Sequence, residues 1–141
     1  MIMAWNKMIP ESEIKDKVTT KTVEFAEEFG HYLGTAEMAT DPRTGRSQKV
    51  KGKLTTNQLR KFFGEVKRQQ MQGYNETQFV LLKPKLAYAV GRDKGATKIK
   101  DFYNVMTNAI DLVKDEKSFK NFIMVFEAIV AYHKATEETG M

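Results

Sequence analysis

The chain has 141 residues, 41% of them hydrophobic, which suits one domain with its own apolar core and argues against global disorder. It has no cysteine, which excludes disulfides, thiolate metal sites and cysteine nucleophiles. The net charge is +5, but residues 51–100 carry 12 basic and 3 acidic side chains, while the segments on either side are net negative. That asymmetry points to a polyanionic partner, against the plainer reading of a solvated basic face.

No apolar run approaches the roughly 18 residues of a membrane span. The opening "MIMAWNKMIPESEIKDK" lacks the layout of a signal peptide. A cytoplasmic protein without membrane contact is expected. Residues 1–15, with scattered Met and Pro10, read as a weakly ordered segment, and residues 16–141 as a single helical domain. From about 18 to 38, Phe25, Phe29, Tyr32, Leu33 and Ala36 recur at helical spacing, although Gly30 and Gly34 weaken the pattern. "TDPRTGRSQKVKGK", residues 40–53, has no apolar period and reads as a mobile, basic surface loop.

Thr55 or Thr56 can cap the next helix, which runs to about Met71 and stops at Gly73. Asn75 can cap another that ends near Gly91, with Pro84 forcing a kink or a break. Two strongly periodic helices follow. One, at about 97–113, carries Ile99, Phe102, Tyr103, Met106, Ile110 and Val113. The other, at about 116–137, opens at Asp115–Glu116 and carries Phe119, Phe122, Ile123, Phe126, Ile129 and Val130. No segment alternates as a strand does. The expected fold is all-α, a compact bundle of about five helices.

At about 100° per residue, Arg60, Lys61, Lys67 and Arg68 fall on an arc that does not overlap the arc of Leu59, Phe62, Phe63 and Val66. Gly64 lies within the basic arc. Glycine there costs about 1 kcal/mol of helix propensity, a cost that fits close approach by a ligand or relief of a helix–helix contact. Lys51 and Lys53 precede the helix N-terminus, where free N–H groups favour an anion. Lys85, Tyr88 and Arg92, spaced i, i+3, i+7, form a second polar stripe whose cations suit phosphates and whose tyrosine can stack on a base, although a tyrosine at such spacing more often packs half into the core. Lys94, Lys98 and Lys100 extend the basic run.

Catalytic signatures are missing. There is no Walker-type loop, no HExxH and no nucleophile elbow. His31 and His133 lie far apart without metal-ligand spacing, and His133 reads as a packed histidine. A protein that is not an enzyme, with no catalytic residue, metal or cofactor, is expected.

"KLTTNQLRKFFGEVKR" followed by "LLKPKLAYAVGR" resembles the small helical subunit of the type III-A CRISPR effector, the Csm complex. The resemblance rests on Leu54, Thr55, Thr56, Gln58, Leu59 and Arg60, then on Leu82, Pro84, Lys85, Leu86, Ala87, Tyr88, Ala89, Gly91 and Arg92. It implies a non-catalytic protein that stacks in several copies along the crRNA–target RNA duplex beside other Csm subunits and holds the target RNA in antiviral defence. Arg60, Lys61, Lys67, Lys85 and Arg92 fall on or beside the motif positions and are the RNA-binding candidates it implies. Lys53 and Arg68 join them from the charge and wheel argument.

An acidic final third, including Glu137 and Glu138, is expected to meet a neighbour's basic middle third. Two other readings compete. A sequence-specific DNA-binding domain would read bases with Asn57 and Gln58, but the 14 residues before them make poor helix-turn-helix geometry. A purely structural subunit would turn its basic face to acidic protein.

Overall fold

Helix boundaries fall where side chains can satisfy free backbone groups. In the computed structural model, which describes residues 5–140, α1 is Glu11–Lys15, α2 Thr20–Leu33, α3 Thr56–Gln72, α4 Glu76–Val80, α5 Leu82–Asp93, α6 Ile99–Leu112 and α7 Glu116–Thr139. Thr55 caps α3 through a capping box: its hydroxyl accepts from Gln58 N at 3.2 Å, and Gln58 Oε1 accepts from Thr55 N at 2.9 Å. Asp115 and Ser118 repeat the device at α7. Asn75 caps α4, as its position suggests. Pro84 acts by its clash with the carbonyl four residues back, that of Val80. The helix therefore stops at Val80 and restarts at Leu82, which leaves Pro84 in the first turn of α5.

The fold is mostly helical, with α7 at its centre. Phe119, Phe122, Ile123, Phe126 and Ile129 are all buried. α3 docks through Phe62, whose ring meets Phe102 and Phe126 edge-on at 5.5 and 5.2 Å. Phe62 is buried and Phe63 only half-buried, so Phe62 is the deeper of the two. Phe79 of α4 lies edge-on to Phe119 and Phe122. Among the described residues no helix is long and apolar enough to cross a membrane.

α2 lies against α7 along its length, and Gly30 and Gly34 make that approach. A Cβ at Gly30 would stand 2.6 Å from Tyr132 Cβ and 2.8 Å from the His133 backbone nitrogen; one at Gly34 would stand 3.0 Å from Thr136 Cβ. The glycines that weaken the sequence pattern are thus required by packing.

Three expectations need correction. The first long helix ends at Leu33, not near 38. The stretch expected to be a loop, 40–53, belongs largely to an antiparallel hairpin of β1 (Glu37–Thr40) and β2 (Ser47–Lys51), registered from Thr40↔Ser47 to Glu37↔Lys51. Its turn is closed by Asp41 N donating to Arg46 O and Gly45 N donating to Asp41 O, both at 2.8 Å. Nearly every hairpin residue is exposed, so no buried face imposed an apolar alternation on the sequence. The helix expected to end near Gly91 continues to Asp93 and ends on Lys94, in the left-handed region at φ 53°.

The segment 1–15 was expected to be weakly ordered. Residues 1–4 lie outside the described residues, but from Trp5 onward the chain packs on the bundle. Trp5 meets Phe25, Phe29 and Tyr32, and Ile9 and Ile14 are buried. Asn121 Nδ2 donates to Ile14 O at 2.9 Å. The buried Glu13 carboxylate accepts from the backbone and hydroxyl of both Thr19 and Thr22, which closes the N-terminus of α2. Burial pushes its pKa up, but these hydrogen bonds outweigh that and hold it below the ordinary value.

Gly30→Ala should lower stability by about 1–3 kcal/mol, the usual range for overpacking. Urea denaturation measures this, and an unchanged midpoint would show that α2 and α7 can separate at no cost.

Candidate nucleic-acid interface

α3 lies between α5 and α7, so its cationic arc feeds two grooves rather than one surface. Between α3 and α5 is a cleft of about 560 Å³, lined by Lys61 from α3 and by Lys85, Tyr88 and Arg92 from α5. Its floor is apolar, with Phe62, Leu86 and Phe102. Tyr88 is 69% exposed, and the Arg92 guanidinium carbon lies 6.0 Å from its ring centroid. Between α3 and α7 a second groove takes Lys53 and Arg60 together with Glu137 and Glu138.

The seven sequence candidates therefore differ in availability. Arg60, Lys61 and Arg92 are exposed and make no ion pair among the described residues. Lys53 pairs with Glu137 at 3.1 Å. Lys67 turns toward α7, where it bonds Glu127 at 2.8 Å and sits 5.5 Å from the Phe63 ring. Arg68 and Lys85 converge on Glu65 at 2.5 and 2.9 Å, so one carboxylate ties α3 to α5. The structure brings Lys61, Lys85 and Arg92 together and separates them from Lys53 and Arg60.

These partners set the electrostatics. Hydrogen bonds from Arg68 and then Lys85 hold the Glu65 carboxyl down at about 2, against an ordinary 4.5. Glu137 lies inside its own chain. Thr56 Oγ1 donates to its Oε1 at 2.6 Å, and His133 Nδ1 stands 3.6 Å away. Burial pushes the Glu137 pKa up, but the Thr56 and Lys53 hydrogen bonds more than offset this. The first turn of α3, expected to hold a phosphate, thus already holds a carboxylate. Glu137, expected to face a neighbour, faces α3 instead.

His133 is a packed histidine, as its stripe position suggests. Its Nε2 donates to the Leu54 carbonyl at 2.7 Å. Lys98, read as part of the basic run, is buried. It donates to Tyr32 O at 2.9 Å and lies over the Tyr32 ring at 3.8 Å; desolvation pushes its pKa down. Gln58 is consumed by the cap of α3, Asp93 and Thr97. No residue type or spacing separated it from Asn57, which is exposed at the cleft rim. Glu65 carried no sequence signal beyond being the lone acid in a basic stretch.

Gly64 has nothing within 4 Å of where a Cβ would stand, so it relieves no helix–helix contact in this chain.

The family model Csm2 Type III-A matches residues 38–139. The chain belongs to this family. It is a small subunit of a type III-A CRISPR system, as the resemblance implied. The match spans the hairpin, α3 to α7 and both grooves, whereas α1 and α2 lie outside it. Comparison with curated proteins and with solved structures gave no match. Within the matched span of this Csm2 chain, much of the sequence motif is architectural. Leu54 is buried with its carbonyl on His133, Thr55 and Gln58 form the cap, and Leu82 and Leu86 enter the core.

Gly64→Ala should stabilise the isolated chain by about 1 kcal/mol, because helix propensity improves with no clash. A lowered melting temperature would reveal a contact at that position. Glu65 gives a pH signature. Because its folded pKa is depressed, its contribution is fully present above about 4.5 and is lost as pH falls toward about 2. Urea midpoints of wild type and Glu65→Gln should therefore differ at pH 7, draw together below about pH 4.5 and converge only as pH falls to about 2. A gap that persists at low pH would place the effect elsewhere.

Proposed function

We propose that this Csm2 subunit is a non-catalytic RNA-binding protein that grips target RNA along the crRNA–target duplex inside the type III-A complex. Several copies stack beside the other Csm subunits in cytoplasmic antiviral defence. The observation that carries the reading is the α3–α5 cleft, where Lys61, Lys85 and Arg92 meet around an exposed tyrosine. Cations suit phosphates and an aromatic ring suits any base, so such a face binds without choosing sequence. Sequence choice belongs to the guide, which pairs with the target. Each copy can then bind weakly, since many copies on one strand gain through effective concentration.

Arg60 borders the same helix from its other side and extends the track, with Lys53 beside it in its pair with Glu137. Lys53, Lys67, Arg68 and Lys85 contribute less than Arg60, Lys61 and Arg92, because Glu137, Glu127 and Glu65 already hold them. The DNA-reading alternative is weakened by Gln58, whose amide is spent on the cap and on Asp93 and Thr97. It is weakened too by the hairpin that stands where a helix-turn-helix would need its first helix.

The test is a Lys61→Glu/Arg92→Glu double variant. Both side chains are exposed and unpaired, so the melting temperature should hold within a few degrees. Affinity for single-stranded RNA should fall at least tenfold, and the salt dependence should lose about 1.4 units of slope. Unchanged RNA affinity, measured by fluorescence anisotropy across a salt series, would overturn the reading. Binding confined to duplex DNA with a defined site would favour the alternative.

A further inference from the structure

The α3–α5 cleft is more apolar than a phosphate track requires. Lysine and arginine can follow a backbone over a flat surface. Here they border a cavity of about 560 Å³, a size that holds a small organic group, whose two lining carboxylates are engaged within the chain, Glu65 by Arg68 and Lys85 and Asp93 by Gln58 and Thr97. The floor is made by Phe62, Leu86 and Phe102, all buried beneath the opening. Charge on the rim and hydrocarbon on the floor suit a ligand with a flat apolar body and anionic flanks.

The rim carries the matching parts. Tyr88 presents its ring to solvent, with Arg92 on one side of it. Asn57 stands exposed at the same rim and has no hydrogen-bond partner among the described residues. Its amide can donate and accept at once, as the edge of a base requires. Lys61 and Arg92 remain free of ion pairs, while Lys85 is held by Glu65.

We propose that the cleft receives one unpaired nucleobase of an RNA strand, stacked on Tyr88, with its edge toward Asn57 and its flanking phosphates on Lys61 and Arg92. The inference rests on the RNA reading above and adds to it a site for the base itself. Each subunit then fixes the position of a nucleotide along the strand as well as attracting its charge. Base identity matters little for stacking, so the site is tolerant of sequence.

The experiment uses the full-length chain and two oligoribonucleotides of equal length and charge, one intact and one with a run of abasic residues. Anisotropy titrations at low salt compare wild type, Tyr88→Ala and Lys61→Glu/Arg92→Glu. Wild type should bind the intact RNA about tenfold more tightly than the abasic one. Tyr88→Ala should erase that preference and leave abasic binding unchanged, whereas the charge-reversal pair should weaken both. Tyr88→Phe should keep the preference, which separates stacking from the hydroxyl. Equal binding of the two RNAs by wild type, with the charge-reversal pair still weakening both, would overturn the base site and leave the backbone grip standing. No binding of either RNA by wild type would overturn both. If Tyr88→Ala lost co-purification with the other complex subunits but kept its RNA preference, the cleft would belong to a protein side chain, and the proposal would fall.

Discussion

The close approach of α2 to α7 is the contact on which the rest of the molecule depends. Two glycines one helical turn apart let the backbones meet, and the consequences run outward from there. Because α2 sits so low on α7, its last carbonyl, Leu33 O, can accept from Leu54 N at 2.8 Å, and His133 on α7 can reach Leu54 O. Leu54 is thereby held at both its amide and its carbonyl, one residue before the cap of α3. The helix that carries most of the candidate cations is aimed by that anchor. Gly52 adds a second fixing point, exchanging backbone hydrogen bonds with Ala96 and Lys98 ahead of α6.

From this frame the functional face follows with few further requirements. α3 must bury Leu59, Phe62 and Val66, so its opposite side is left for solvent. α5 restarts at Leu82 with Pro84 in its first turn, and the new helix leaves Lys85, Tyr88 and Arg92 exposed beside α3. The two helices are joined across the cleft by the Lys85–Glu65 pair and by the Gln58–Asp93 hydrogen bond. The space between them stays open above an apolar floor. In a Csm2 subunit that space lies on the face proposed to meet RNA. The second groove differs in character: its cations share it with Glu137 and Glu138, so its field is mixed in sign.

The helices were legible in the sequence because each has a buried stripe and a cap of recognisable type. Thr55, Asn75 and Asp115 declared three starts almost to the residue. The hairpin was not legible, because a strand pair with no buried face leaves no period to read. The order of residues 5–15 was hidden for a related reason. Its anchors are single residues, Trp5, Ile9, Glu13 and Ile14, each matched to a distant part of the chain. At the site, charge and wheel position placed the cations on the correct helices, but availability depends on partners far away in sequence. Lys67 meets Glu127, Lys53 meets Glu137, and Lys98 is drawn inward beside Tyr32. Local patterning carries no trace of such pairings.

The position of α7 in the chain has a consequence for synthesis. The helix around which the others pack is made after all six of them, and α2, made well before it, finds its partner surface only there. Until Phe119 to Ile129 have left the ribosome, Phe29, Phe62, Phe79 and Phe102 have no common core to enter. Folding of this subunit must therefore wait until α7 has emerged rather than proceed from the N-terminus as the earlier helices appear. A shortened product that lacks α7 would carry every candidate cation of α3 and α5 on a chain with no means of holding them in place.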